Sequence, residues 1–122
     1  MKSVRGNSPR AVALEVVRAV GDRGAYANLL LPERLTANGM SGRDAAFATE
    51  LTYGTLRWQG TYDAIIDACV VGASLPLDAV VRDVLRIGCH QVLSMDVPDH
   101  AAVATTVDLA KRSQARRAAG LS

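Results

Sequence analysis

The sequence predicts an all-α protein, and three observations carry that reading. Apolar residues recur at three- and four-residue spacing along most of the chain, no segment sustains the alternation of a half-buried strand, and glycines stand singly at segment ends. With 49% hydrophobic but only 4% aromatic residues, the 122-residue chain has the Ala-, Val- and Leu-rich composition of one closely packed helical domain.

Residues 1–8 read as a flexible basic arm. Ser8-Pro9 opens a first helix, Ser as cap and Pro at the first helical position, and Val12, Val16, Ala19 and Val20 share a face until Gly21. A second segment, Tyr26 to Asn38, carries Leu30, Leu31 and Leu35, with Pro32 beginning or bending it and Asn38-Gly39 as its stop. Tyr26 and Asn28 read as an entry anchor and cap. Ser41 with Asp44 resembles a capping arrangement for a third helix whose face is Phe47, Leu51, Gly54 and Trp58. A fourth helix from Thr61 is expected to bury Tyr62, Ile65, Ile66 and Cys69, with a turn at Gly72 to Pro76. The fifth, from about Pro76 to Met95, repeats Val81, Val84, Gly88 and Val92. Val97-Pro98 breaks the chain before a sixth helix bearing Ala102, Val103, Thr106, Val107 and Ala110. The expected core is Val16, Phe47, Leu51, Ile65, Val84, Leu85, Val92 and Val107.

Several function classes lose support at once. The longest uncharged apolar stretch, Ala68 to Leu77, is broken by Gly72 and Pro76 and falls short of the roughly 18 residues of a membrane span. Arg10, Glu15 and Arg18 interrupt the first apolar segment, so no signal-peptide region is expected and the setting reads as cytoplasmic. Cys69 and Cys89 lack metal-binding spacing and read as small core thiols. Adjacent helical residues point about 100° apart, which places Cys89 and His90 poorly for one metal ion. Asp99-His100 reads as a helix start. No nucleophile and base pair off, so no catalytic, cofactor-binding or metal-binding residue is assigned.

Charge is more informative by position than in total. The formal net charge is only +2, but residues 1–23 carry +3, the tail after Asp108 carries +4, and the middle carries −5. If the fold joins the two ends, they form the kind of basic patch that phosphate binding requires; a solvated arginine-rich tail is the competing account. Arg57 and Trp58 suit a helix end and core edge, or a cation beside a stacking face for an unpaired base. Arg82 and Arg86 share a face, where nearby Asp78 and Asp83 favour surface ion pairs over a phosphate track.

Two segments carry a family resemblance. Gly42 to Gly60, GRDAAFATELTYGTLRWQG, and Arg86 to Lys111, RIGCHQVLSMDVPDHAAVATTVDLAK, resemble in order and spacing the NusB-like domain preceding the catalytic domain of Fmu/Sun-type bacterial 16S ribosomal RNA cytosine-5 methyltransferases. The second includes Leu85-Arg86-Ile87-Gly88 and Pro98-Asp99-His100-Ala101-Ala102-Val103. The resemblance implies a NusB-like bundle of two packed helical subdomains over residues 9–122, the first three helices forming one of them. In that family a further helix follows the segment resembling Arg117 to Leu121, so the last helix is expected to be absent. That loss predicts self-association through an exposed apolar surface, or a mobile tail beyond about Ser113.

The same resemblance implies an accessory domain without chemistry of its own. S-adenosylmethionine would belong to a separate catalytic α/β domain, whose strands and Gly-rich turn this chain does not encode. Neither cysteine has the context of that family's catalytic cysteines. The RNA-binding residues expected are Arg5, Arg10, Arg57, Lys111, Arg112, Arg116 and Arg117, with 16S ribosomal RNA as the implied partner. Two alternatives stay open: a module docking to a methyltransferase domain or a ribosomal protein, and a stand-alone NusB-like transcription antitermination factor.

Overall fold

The structure is a computed structural model that describes residues 8–71 and 78–95. Its described residues hold five helices and no strand: α1 (Pro9–Arg23), α2 (Ala27–Ala37), α3 (Gly42–Arg57), α4 (Gln59–Val71) and α5 (Ala79–Ser94). The expected arm, the Gly72 to Pro76 turn, the sixth helix with Val107, and the tail with its expected terminus lie outside the described residues.

Met1–Arg57 and Trp58–Ser122 form two compact units. The first contains α1 to α3, the division expected from the sequence. Its ends are set by local chemistry. Ser8 Oγ accepts from the Ala11 amide at 3.1 Å and Pro9 occupies the first turn, where its missing N–H costs nothing. α1 runs past Gly21 to Arg23, because an exposed glycine within a helix is tolerated. The stop is Gly24, at φ 68°, and the Ala25 amide then donates to the Ala19 carbonyl.

α2 begins at Tyr26 with no side-chain cap, so the expected anchor and cap roles of Tyr26 and Asn28 do not hold; both side chains are exposed. Pro32 lies inside the helix and removes the amide that would bond the Asn28 carbonyl, which solvent can reach on this exposed face. Asn38 Nδ2 donates to the Arg34 carbonyl at 2.7 Å, and Gly39 at φ 62° completes the stop.

α1 lies against α2 and α3, and α2 also meets α3. Val12, Val16 and Leu31 form a fully enclosed centre, with Leu35, Met40 and Tyr53 packed against it. Ala48 and Leu51 of α3 are also buried. The stripe expected on α3 holds at Leu51 and Gly54, which are buried with Ala48, Thr52 and Thr55, but Phe47 is only half-buried and Trp58 is exposed. A threonine enters this face because Thr52 Oγ1 satisfies itself on the Ala48 carbonyl at 2.7 Å.

In the second unit, α4 and α5 pack side by side. α4 starts at Gln59, just before the expected Thr61, and buries Tyr62 and Ile66 as expected. Ile65 and Cys69 are exposed, which corrects their placement in the core, and Cys89 is half-buried. α5 matches α3 in length, and Asp78 caps it by accepting from the Val81 amide at 2.9 Å. Its buried face is Asp83, Val84, Ile87, His90 and Gln91, rotated by roughly 100° from the valine stripe. Val92 is therefore exposed and Leu85 half-buried, contrary to expectation, because polar residues occupy the inward face.

Candidate nucleic-acid interface

The described arginines fall into two groups. In the second unit, Arg82 and Arg86 are turned onto internal carboxylates. Arg86 grips Asp63 with a two-pronged contact, Nε to Oδ1 at 2.7 Å and Nη2 to Oδ2 at 2.8 Å, and reaches buried Asp83 with Nη1 at 2.7 Å. Arg82 donates to Asp67 at 2.7 Å and to Asp63 at 3.3 Å. The ion-pair account of these arginines thus holds, but the partners come largely from α4. Asp63 is part-buried at the centre of the network. The hydrogen bond from Arg86 holds its carboxyl below the usual range, against the opposing effect of burial.

Beside this network, His90 Nδ1 lies 2.7 Å from the Tyr62 hydroxyl, which is 3.1 Å from Ser94 Oγ. His90 and Tyr62 are both buried, with their rings edge to face. That chain links α4 to α5 and gives His90 a packing role. No group of three metal-ligating side chains occurs among the described residues. The Cys89 thiol is pushed up by burial, so it is no activated nucleophile at neutral pH.

The first unit is different. Arg23, Arg43 and Arg57 are exposed, and no ion pair to them occurs among the described residues. Arg34 is occupied, with Nη1 3.3 Å from Glu15 Oε2 and Nη2 3.5 Å from Glu33 Oε1. Arg10 sits over Phe47, its guanidinium carbon 4.8 Å from the ring centre, and burial lowers its pKa. Trp58, at the start of the second unit, is 50% exposed rather than closing a core.

Of the residues expected to contact RNA, Arg10 and Arg57 are described, both in the first unit. Arg5, Lys111, Arg112, Arg116 and Arg117 lie outside the described residues. Sequence reading did not select Arg43. It stands four residues before Phe47, whose ring Arg10 reaches from α1, a helix far away in sequence but packed on α3.

The described residues of the first unit are all helical and expose arginines around a small apolar core. Residues 7–122 match the NusB family, and the chain belongs to it. It is 52% identical over 101 residues to a Mycobacterium tuberculosis protein named "Putative methyltransferase Rv1407", covering 83% of this chain and 22% of the relative. It is 39% identical over 109 residues to the ribosomal RNA small subunit methyltransferase B of Thermus thermophilus, covering 89% and 27% respectively. A Pseudomonas putida protein of the same name is 31% identical over 114 residues, covering 93% and 26%. The chain thus spans about a quarter of the length of these curated relatives, in their N-terminal portion. No solved structure matches it. No helix among the described residues is long and apolar enough to cross a membrane.

Proposed function

We propose that this chain is an RNA-binding accessory domain of the kind that accompanies a ribosomal RNA cytosine-5 methyltransferase, holding the RNA while a separate domain transfers the methyl group. The observation that carries the reading is the pair of exposed arginines Arg43 and Arg57 in the first unit, on a chain whose relatives are named ribosomal RNA methyltransferases. Guanidinium groups suit phosphate recognition because their planar donor set matches phosphate oxygens. Arg10 and Arg57 contact the RNA in this reading, as do Arg5, Lys111, Arg112, Arg116 and Arg117. The RNA is a 16S ribosomal RNA segment, and S-adenosylmethionine is bound elsewhere, by the methyl-transferring domain.

A second reading, docking onto a protein such as a methyltransferase domain or a ribosomal protein, is supported by Tyr26 and Leu29. They are 71% and 68% exposed at the start of α2, and Leu29 adds an apolar group one turn from the ring. Salt dependence separates the readings. Titration with 16S ribosomal RNA fragments at several salt concentrations should give log affinity falling with log salt at about −0.7 per phosphate contact on a single strand. Arg10→Ala should reduce the slope, and added S-adenosylmethionine should produce no methylation. Salt-independent binding, or binding untouched when Lys111, Arg112, Arg116 and Arg117 all become Ala, would favour the protein-docking reading.

A further inference from the structure

Phe47 belongs to a helix whose buried face lies elsewhere. Ala48, Leu51, Thr52 and Thr55 face the core, leaving the Phe47 ring half-exposed, and the guanidinium of Arg10 from α1 covers it at 4.8 Å. A guanidinium on an aromatic face is attracted by the ring's negative quadrupole and loses part of its freedom before any ligand arrives. Arg10 is also partly withdrawn from water, since burial lowers its pKa. A charge held in place and partly desolvated acts more strongly on a neighbouring anion than a freely hydrated one.

Arg43 stands one helical turn before Phe47 on α3, and side chains four apart on a helix are neighbours, with Cβ atoms about 5–6 Å apart. It is exposed, and no described residue pairs with it. Arg10 thus covers the ring from α1, and Arg43 stands one turn from Phe47 on α3. The carboxylates nearest in helical register, Asp44 and Glu50, lie three residues to either side of Phe47 and oppose an anion there.

Resting on the RNA-binding reading above, we propose that Arg10 and Arg43 form a single phosphate-binding point on RNA, with Phe47 as the platform that orients Arg10. Arg43 supplies the second fork of the clamp. The aromatic face fixes Arg10, so the ring contributes to affinity without itself making a charge contact. Binding is strongest for a strand that places a phosphate between the two guanidinium groups.

The test is RNA titration of the whole chain across salt concentrations, with thermal unfolding of each variant as the folding check. Arg43→Ala and Arg43→Gln, both at an exposed position, should each lower the magnitude of the log–log salt slope by about 0.7, the loss of one phosphate contact. Phe47→Leu should weaken binding several-fold with the slope retained, because the charges remain while the platform is lost. Asp44→Asn should tighten binding. Arg23→Ala, removing an exposed arginine remote in sequence from Phe47, should leave the slope nearly unchanged.

If the parent chain binds RNA with a salt slope and the Arg43 variants keep it, this clamp is wrong while the RNA reading stands. An equal loss of slope from Arg23→Ala would also overturn it, because attraction would then be diffuse. A parent chain that does not bind RNA fails the RNA reading itself.

Discussion

Where α1 meets α2 and α3, the enclosed centre is apolar, Val12, Val16 and Leu31 with Leu35, Met40 and Tyr53 around them, and the Arg34–Glu15 ion pair lies at its partly exposed edge. Where α4 meets α5, the same task is shared with charged and polar groups, Arg82 and Arg86 on Asp63, Asp67 and Asp83, and Tyr62 on His90. Burial of apolar area is indifferent to partner geometry, whereas the two-pronged Arg86–Asp63 contact requires a particular placement of both helices. The difference also decides where charge is available. The second unit spends Arg82 and Arg86 internally, so the exposed, unpaired arginines of the described residues belong to the first.

The largest expected effect tests the chemical basis of this contrast. Leu51→Ala in the aliphatic unit should cost about 2–5 kcal/mol, since a large side chain is lost from a fully buried position. Arg86→Ala in the second unit should cost roughly 3 kcal/mol, because the buried Asp83 and the part-buried Asp63 each lose a charged partner. Chemical denaturation would measure both. The contrast breaks if Arg86→Ala is nearly neutral, or if the cost of Leu51→Ala depends on pH as strongly as that of Arg86→Ala.

A smaller effect comes from acid. The folded-state pKa of Asp63 is lowered, chiefly by the Arg86 hydrogen bond. Its contribution is therefore complete above the unfolded value near 3.9 and disappears as pH falls from there through the folded pKa. Acid titration below about pH 4 should loosen the α4–α5 contact before the aliphatic core. Asp63→Asn should flatten that dependence while lowering stability at neutral pH. Helix-resolved hydrogen exchange would follow it, and simultaneous loss of protection in both units would contradict the comparison.

The rotated face of α5 shows what sequence periodicity could and could not reveal. α1 was legible because Val12 and Val16 are both apolar and buried, and its caps at Ser8 and Asn38-Gly39 for α2 were legible because their chemistry is local. On α5 the apolar residues suggested a stripe through Val81, Val84, Gly88 and Val92, while the true inward face admits Asp83, His90 and Gln91. Those polar residues are satisfied where they are buried: Asp83 by Arg86 one turn along the same helix, His90 by Tyr62 of α4. A partner on another helix, such as Tyr62, is invisible to a periodicity count. The same holds for the candidate interface, where Arg10 was found by its charge but its place over Phe47 required the packing of α1 on α3.

The smallest expected effect separates two thiols on the polar helix pair. Cys69 is exposed, while Cys89 is half-buried with its ionisation suppressed by burial. Iodoacetamide at neutral pH should alkylate Cys69 several-fold faster, read by peptide mass spectrometry. Equal rates would mean that the α4–α5 surface opens readily, weakening the case that its ion network holds a fixed geometry.

Trp58 gives these questions an unlabelled reporter. It is the chain's single tryptophan, its indole is half open to solvent, and its carbonyl accepts the Tyr62 amide at 3.0 Å, which ties its backbone to the first turns of α4. Excited near 295 nm, the indole emits from one known address, so any change in intensity, wavelength or quencher access arises there. A nucleobase stacked on it would quench that light, whereas a phosphate contact that brings no base onto the indole would leave it largely unchanged. The protein thus carries its own optical means of telling base contact from backbone contact.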